Sequence, residues 1–89
     1  MKKYYIKVTQ EDINNGVAGS AMSCPIARAI TRRFGLKENP KVGSLVATYW
    51  TKDNELRQFQ LPYQAKEFIY NFDNQLGVKP ISFEIFREL

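Results

Sequence analysis

Apolar and polar positions along this chain switch between two periods. In YYIKVT (4–9) they alternate, which puts Tyr4, Ile6 and Val8 on one face of a first strand. Thr9, Gln10, Glu11 and Asp12 then have the form of a capping box, and Asn14, Asn15 and Gly16 would stop the short helical turn it starts. Residues 16–23 (GVAGSAMS) form a small-residue loop. From Pro25 to Phe34 the period lengthens, with Ile26, Ile30 and Phe34 on one stripe and Ala27 and Ala29 beside it. Pro25 suits the first helical position, Cys24 the N-cap and Gly35 the stop.

KVGSLVATYW (41–50) reads as one long strand, Lys52-Asp53-Asn54 as a turn, and ELRQFQL (55–61) as the returning strand. Pro62 opens a second long helix in which Ala65, Phe68, Ile69, Phe72 and Leu76 share a face, and Gly77 is expected to end it. KPISFEIFREL (79–89) supplies the last strand. The order β-α-β-β-α-β predicts an α+β domain spanning 1–89, with two helices packed on a four-stranded, mostly antiparallel sheet, ferredoxin-like or a variant of it. The uncovered sheet face would carry Tyr5, Lys7, Phe86 or Tyr49, a surface suited to binding or dimerisation.

Composition changes this picture mainly by exclusion. Eighty-nine residues leave no room for a second core, and a chain this small buries only about 60–65% of its unfolded surface, so a homo-oligomer is expected. No apolar run approaches the ~20 residues of a membrane span, and the polar start is no signal peptide. One cysteine and no histidine remove disulfides, zinc sites and His-based nucleophile pairs, which leaves a reducing cytosolic setting as the default. No enzyme, metal or cofactor is expected.

Charge is more informative by location than in total. Thirteen Lys and Arg oppose nine Asp and Glu, for a net +4. Residues 13–37 contain no acid but hold Arg28, Arg32, Arg33 and Lys37, so the whole excess lies there. A localised positive field implies an anionic partner. Its centre would be the entrance to the first long helix, where small residues, helical N–H groups and the hydroxyls of Ser20 and Ser23 could hold a phosphate. The expected ligand-binding set is Ser20, Ser23, Cys24, Ile26, Ala27 and Arg28, with Arg32 secondary. Tyr49 or Trp50 would stack a base, and Asp73 would accept from a sugar or base donor. Arg33 reads as compensation of the helix dipole. Cys24, at a helix N-terminus, would have a lowered pKa, although a buried thiol or cap is the commoner role. Each feature also has an ordinary reading: a solvated basic face, a serine-rich loop, core aromatics, a paired aspartate.

CPIARAI (24–30), LPYQAKEFIYNFD (61–73) and VKPISFEIF (78–86) together resemble a group of small bacteriophage-encoded proteins that open a helix on Cys-Pro-Ile/Val-Ala. The resemblance covers most of the chain, through short motifs. It implies an accessory protein made in the host bacterial cytoplasm, and no catalytic residue carries over from it. Counter-defence then becomes the expected role: sequestration of a nucleotide-derived immune messenger of the cyclic nucleotide or ADP-ribose type. The alternatives are direct inhibition of a host defence protein, as anti-CRISPR proteins do, or binding of nucleic acid. Acidic DNA mimicry conflicts with the +4 charge.

Overall fold

The computed structural model describes residues 2–87. Its elements are β1 (Lys2–Val8), α1 (Gln10–Asn15), α2 (Pro25–Phe34), β2 (Lys41–Val42), β3 (Val46–Trp50), β4 (Leu56–Gln60), α3 (Tyr63–Asp73) and β5 (Ile81–Arg87). The α+β class is as expected, but the architecture is not one four-stranded sheet under two helices. Strands β1 and β5 form an antiparallel pair, and β2, β3 and β4 form a separate antiparallel meander. β4 lies alongside β5 without joining it in a ladder. The expected last strand ran on to Glu88 and Leu89, which lie outside the described residues.

The single strand expected over 41–50 is split. Gly43 N–H donates to the Val46 carbonyl at 2.8 Å, which closes a tight turn on Ser44 and Leu45 and folds Val42 back against Ala47. Gly43-Ser44 is a turn dipeptide inside a run of β-formers, and here the turn wins over the run. Around 52–54 the expected turn is present, with Asn54 in the left-handed region at φ 63°.

Alternation along β1 holds: Ile6 and Val8 are buried, while Tyr5 and Lys7 face outward. They join Phe83 and Ile85 of β5, Ala47 and Tyr49 of β3, Phe59 of β4, the α2 stripe, and Ala65 and Phe68 of α3 in one core. Tyr49 therefore does not belong to the uncovered face. It stacks on Phe34 with ring centroids 5.0 Å apart, and Tyr4 meets Phe34 edge-on at 5.0 Å. Arg33 lies over the rings of Tyr4 and Phe34, at 5.1 and 5.5 Å, so it covers aromatic surface as well as sitting in the last turn.

The boundaries of α2 fall where its caps put them. Cys24 is the N-cap, Pro25 the first helical residue, and Gly35 takes the left-handed position at φ 60°. Helix α3 ends at Asp73, four residues before the glycine expected to stop it, and Gln75 holds the left-handed conformation. Leu76 consequently leaves the apolar stripe and is exposed.

Candidate functional site

The centre of the basic region is a residue just outside it. Asp12 is fully buried, the one buried charged side chain among the described residues. It starts as part of the capping box: its N–H donates to Thr9 Oγ1 at 3.2 Å, and its Oδ2 accepts from Thr9 N–H at 2.9 Å. Arg32 then clamps the carboxylate from α2, with Nη1 2.8 Å from Oδ1 and Nη2 2.7 Å from Oδ2. Arg32 Nη2 also donates to the Lys7 carbonyl at 2.8 Å, so one guanidinium joins β1, α1 and α2. Burial alone would raise the Asp12 carboxyl. The Arg32 and Thr9 hydrogen bonds outweigh it and hold the group below its ordinary value, while Arg32 is pushed up by the same contact.

Arg28 is bound differently. Its Nε is 3.6 Å from Asp12 Oδ1, an ion pair, but the guanidinium donates no hydrogen bond to any described residue. Its side chain is 38% exposed, so part of this cation is available to solvent and to a ligand.

The helix entrance is occupied by the chain itself, which corrects the expected phosphate cradle. Ala27 N–H donates to Cys24 Sγ at 3.4 Å. Cys24 N–H donates to the Ser20 carbonyl at 3.1 Å, and Ser20 Oγ accepts from Ser23 N–H at 3.1 Å. The Cys24 and Ala27 N–H groups are thus engaged within the chain, Pro25 has none, and Ile26 and Ala27 are core residues. Burial pushes the Cys24 thiol up rather than down, against the help of the Ala27 and Ile26 amides. Cys24 is a cap in the core and not a low-pKa nucleophile.

The loop is fastened on three sides. Gly16 packs so closely on Pro25 that a Cβ would lie 2.6 Å from the proline Cδ and 2.8 Å from the Asp12 carbonyl oxygen. Val42 N–H donates to the Ala21 carbonyl at 2.8 Å. Gly19 N–H donates to Asp73 Oδ1 at 2.9 Å. Asp73 thus accepts from the loop backbone, and it lines neither of the clefts described next.

Two adjoining clefts lie beside this junction. The first, of about 460 Å³, is bordered by Arg28, Arg32 and Asp12 with Ser23, Thr31 and Asn39. The second, of about 660 Å³, holds Trp50, Leu56 and Thr48 with Glu38 and Lys41. Met22 and Asn39 border both, so the two clefts adjoin, the first lined by Arg28 and Arg32 and the second by Trp50 and Leu56. Trp50 is 48% exposed, whereas Tyr49 is 2% exposed and offers a ligand no ring face. Of the expected set, the structure brings Ser23, Arg28 and Arg32 to the first cleft and Trp50 to the second, with the buried Tyr49 at its floor. Ser20, Cys24, Ile26, Ala27 and Asp73 are outside both linings.

Asp12, Met22, Asn39, Lys41 and Leu56 were not anticipated. Asp12 had a signal, as the N3 acid of a capping box next to an acid-free basic stretch. Among the described residues no cluster of His, Cys, Asp and Glu could hold a metal, and no helix is long and apolar enough to cross a membrane. No family model, curated protein or solved structure matches this chain.

Proposed function

We propose that this chain is a non-enzymatic binder of a small anionic, nucleotide-like molecule, acting by sequestration. One observation carries the reading: two adjoining clefts, sharing Met22 and Asn39, present Arg28, a cation with no hydrogen bond of its own to give up, in one and the exposed indole of Trp50 in the other. A phosphate on Arg28 and a base on Trp50 would use the two interactions such a ligand offers, a charge-assisted hydrogen bond and ring stacking. The anion sits against the Arg28 side chain in the cleft, not on the helix amides. With the resemblance noted above, the reading extends to a phage counter-defence protein that holds an immune messenger of the cyclic nucleotide or ADP-ribose type in the host cytoplasm.

Thermal shift with a panel of cyclic nucleotides and ADP-ribose derivatives tests it. A ligand at 100 times its dissociation constant raises stability by about 2.7 kcal/mol, a large displacement for a domain of this size. Arg28→Ala is expected to weaken binding about ten- to hundredfold, and Arg57→Ala, whose side chain lines neither cleft, to leave it unchanged. Unaltered affinity in a folded Arg28→Ala variant refutes the site.

A second reading has its own observation. Tyr5 and Phe86 are 57% and 53% exposed on the outward face of the β1–β5 pair. That face would serve a homo-oligomer or a docked host defence protein. Light scattering at micromolar concentration distinguishes self-association from a monomer, and co-purification of one host protein would favour the inhibitor.

A further inference from the structure

We infer that the ligand of these clefts is a cyclic dinucleotide, whose two phosphates stand apart, on either side of the nucleoside held at Trp50. The inference rests on the nucleotide-binding reading above and narrows its ligand class. Trp50 borders a third cleft besides the second, of about 200 Å³, lined by Lys37 and Lys52 with Glu38 and Thr51. Glu38 and Trp50 belong to the second and third alike. The first and third share no lining residue, and each adjoins the second. The three therefore follow one another in a row, with cations in both outer clefts and Trp50 bordering the middle one.

Charge is concentrated along this row. Arg28, Arg32, Lys37, Lys41 and Lys52 line it, against Asp12 and Glu38. The other eight basic and seven acidic residues of the chain nearly cancel, so three of the four net charges border the clefts. Asp12 is paired with Arg32 and Arg28, whereas Lys37, Lys41 and Lys52 form no ion pair with any described residue. One phosphate at Arg28 leaves those lysines unmet. A long strand would run off the row onto a surface whose charges cancel, so the charge distribution favours a small polyanion.

The cations are also spaced. Lys52 Nζ lies 3.9 Å from where a Cβ on Gly35 would stand, at the exit of α2. Arg28 is near the start of the same helix, seven residues earlier, which is about 10 Å of helical rise. Two phosphates joined directly, as in ADP-ribose, serve one end of that span. Phosphates separated by a nucleoside serve both ends and leave the base over the Trp50 ring. Glu38, beside Trp50, is placed to accept from an amino group of the base or a sugar hydroxyl.

The test holds base and total charge constant and varies phosphate spacing. Cyclic di-AMP and ADP-ribose each carry adenine and two negative charges at pH 7, but only the first has its phosphates apart. Trp50 is the chain's one tryptophan, so its fluorescence reports occupancy directly. Cyclic di-AMP is expected to bind about tenfold more tightly than ADP-ribose. Arg28→Ala and Lys52→Ala, each checked for folding by circular dichroism, should both weaken cyclic di-AMP by about tenfold or more, whereas ADP-ribose should respond to one of them alone. Cyclic di-GMP should follow cyclic di-AMP, because stacking tolerates either base. If ADP-ribose binds as tightly as cyclic di-AMP, or Lys52→Ala leaves cyclic di-AMP unchanged, the separated-phosphate inference is overturned while Arg28 and Trp50 remain a nucleotide site. Oligoadenylates that bind more tightly than cyclic di-AMP, and gain with each added nucleotide, would overturn it in favour of a single strand. If none of these nucleotides binds, the nucleotide reading falls with it.

Discussion

Helices α2 and α3 are nearly equal in length, ten and eleven residues, yet they are held by opposite means. Helix α2 has a thiol cap, a proline at its first position, a left-handed glycine at its end and Arg32 and Arg33 in its last turn. Helix α3 has no side-chain cap at its N-terminus, no acid in its first turn and no base in its last; at its C-terminus Asn74 Nδ2, donating to the Tyr70 carbonyl at 2.7 Å, and a left-handed glutamine close it. It stays in place by burying Ala65 and Phe68 and by the Asp73 tie to Gly19. A helix whose ends are written locally carries its own register. One held by its flank has ends that depend on the rest of the molecule.

The polar anchor of α2 offers the largest way to break this contrast. Asp12→Ala leaves two arginines without their carboxylate and removes half of the α1 capping box, so a loss of about 2–3 kcal/mol is expected in urea unfolding. The same tie sets a pH dependence. The Asp12 carboxyl is held below its unfolded value of about 3.9, so its contribution is complete above that value and is lost as pH falls through the lower folded value. Acid unfolding midpoints should therefore move upward in Asp12→Asn.

Gly16→Ala comes next. A methyl 2.6 Å from the Pro25 ring has to displace the start of α2, at about 1–3 kcal/mol, and a circular-dichroism melt should show it. At the helix ends the comparison can be run in both directions. Gly35→Ala places a side chain at φ 60° and should cost about 1 kcal/mol, whereas Gln75→Gly relieves the equivalent strain after α3 and should gain about 0.5 kcal/mol. Equal and small effects at both positions would contradict the idea that the helices differ in how their ends are set.

This contrast also explains what could be read from the sequence. Everything about α2 was legible, because Cys24, Pro25 and Gly35 act within a turn of where they stand. The end of α3 was not, because nothing between Asp73 and Gly77 announces that Gln75 will take the left-handed conformation. The turn at Ser44 and Leu45 was hidden by the β-formers around it, and with it the division into two sheets. For the first cleft, the linear charge map found Arg28 and Arg32 but missed Asp12, one position before the acid-free stretch begins. Folding α1 back on α2 converts a field of two arginines into a nearly balanced cluster. Trp50 and Tyr49 are neighbours in one strand, and the alternation that exposes the first is what buries the second.

The pairing of β1 with β5 bears on how the protein comes off the ribosome. The innermost rung of that ladder joins Val8 to Ile81, so β1 waits for nearly the whole described chain before it finds its strand partner. At bacterial elongation speeds, roughly 5–20 residues per second, the interval is about 4–15 s. During that time Ile6 and Val8 lack Phe83 and Ile85 of the same core, and the free edges of β1 are open to other nascent chains. Lys2, Lys3 and Lys7 interrupt that strand with like charges, so two waiting copies repel each other where they would otherwise pair.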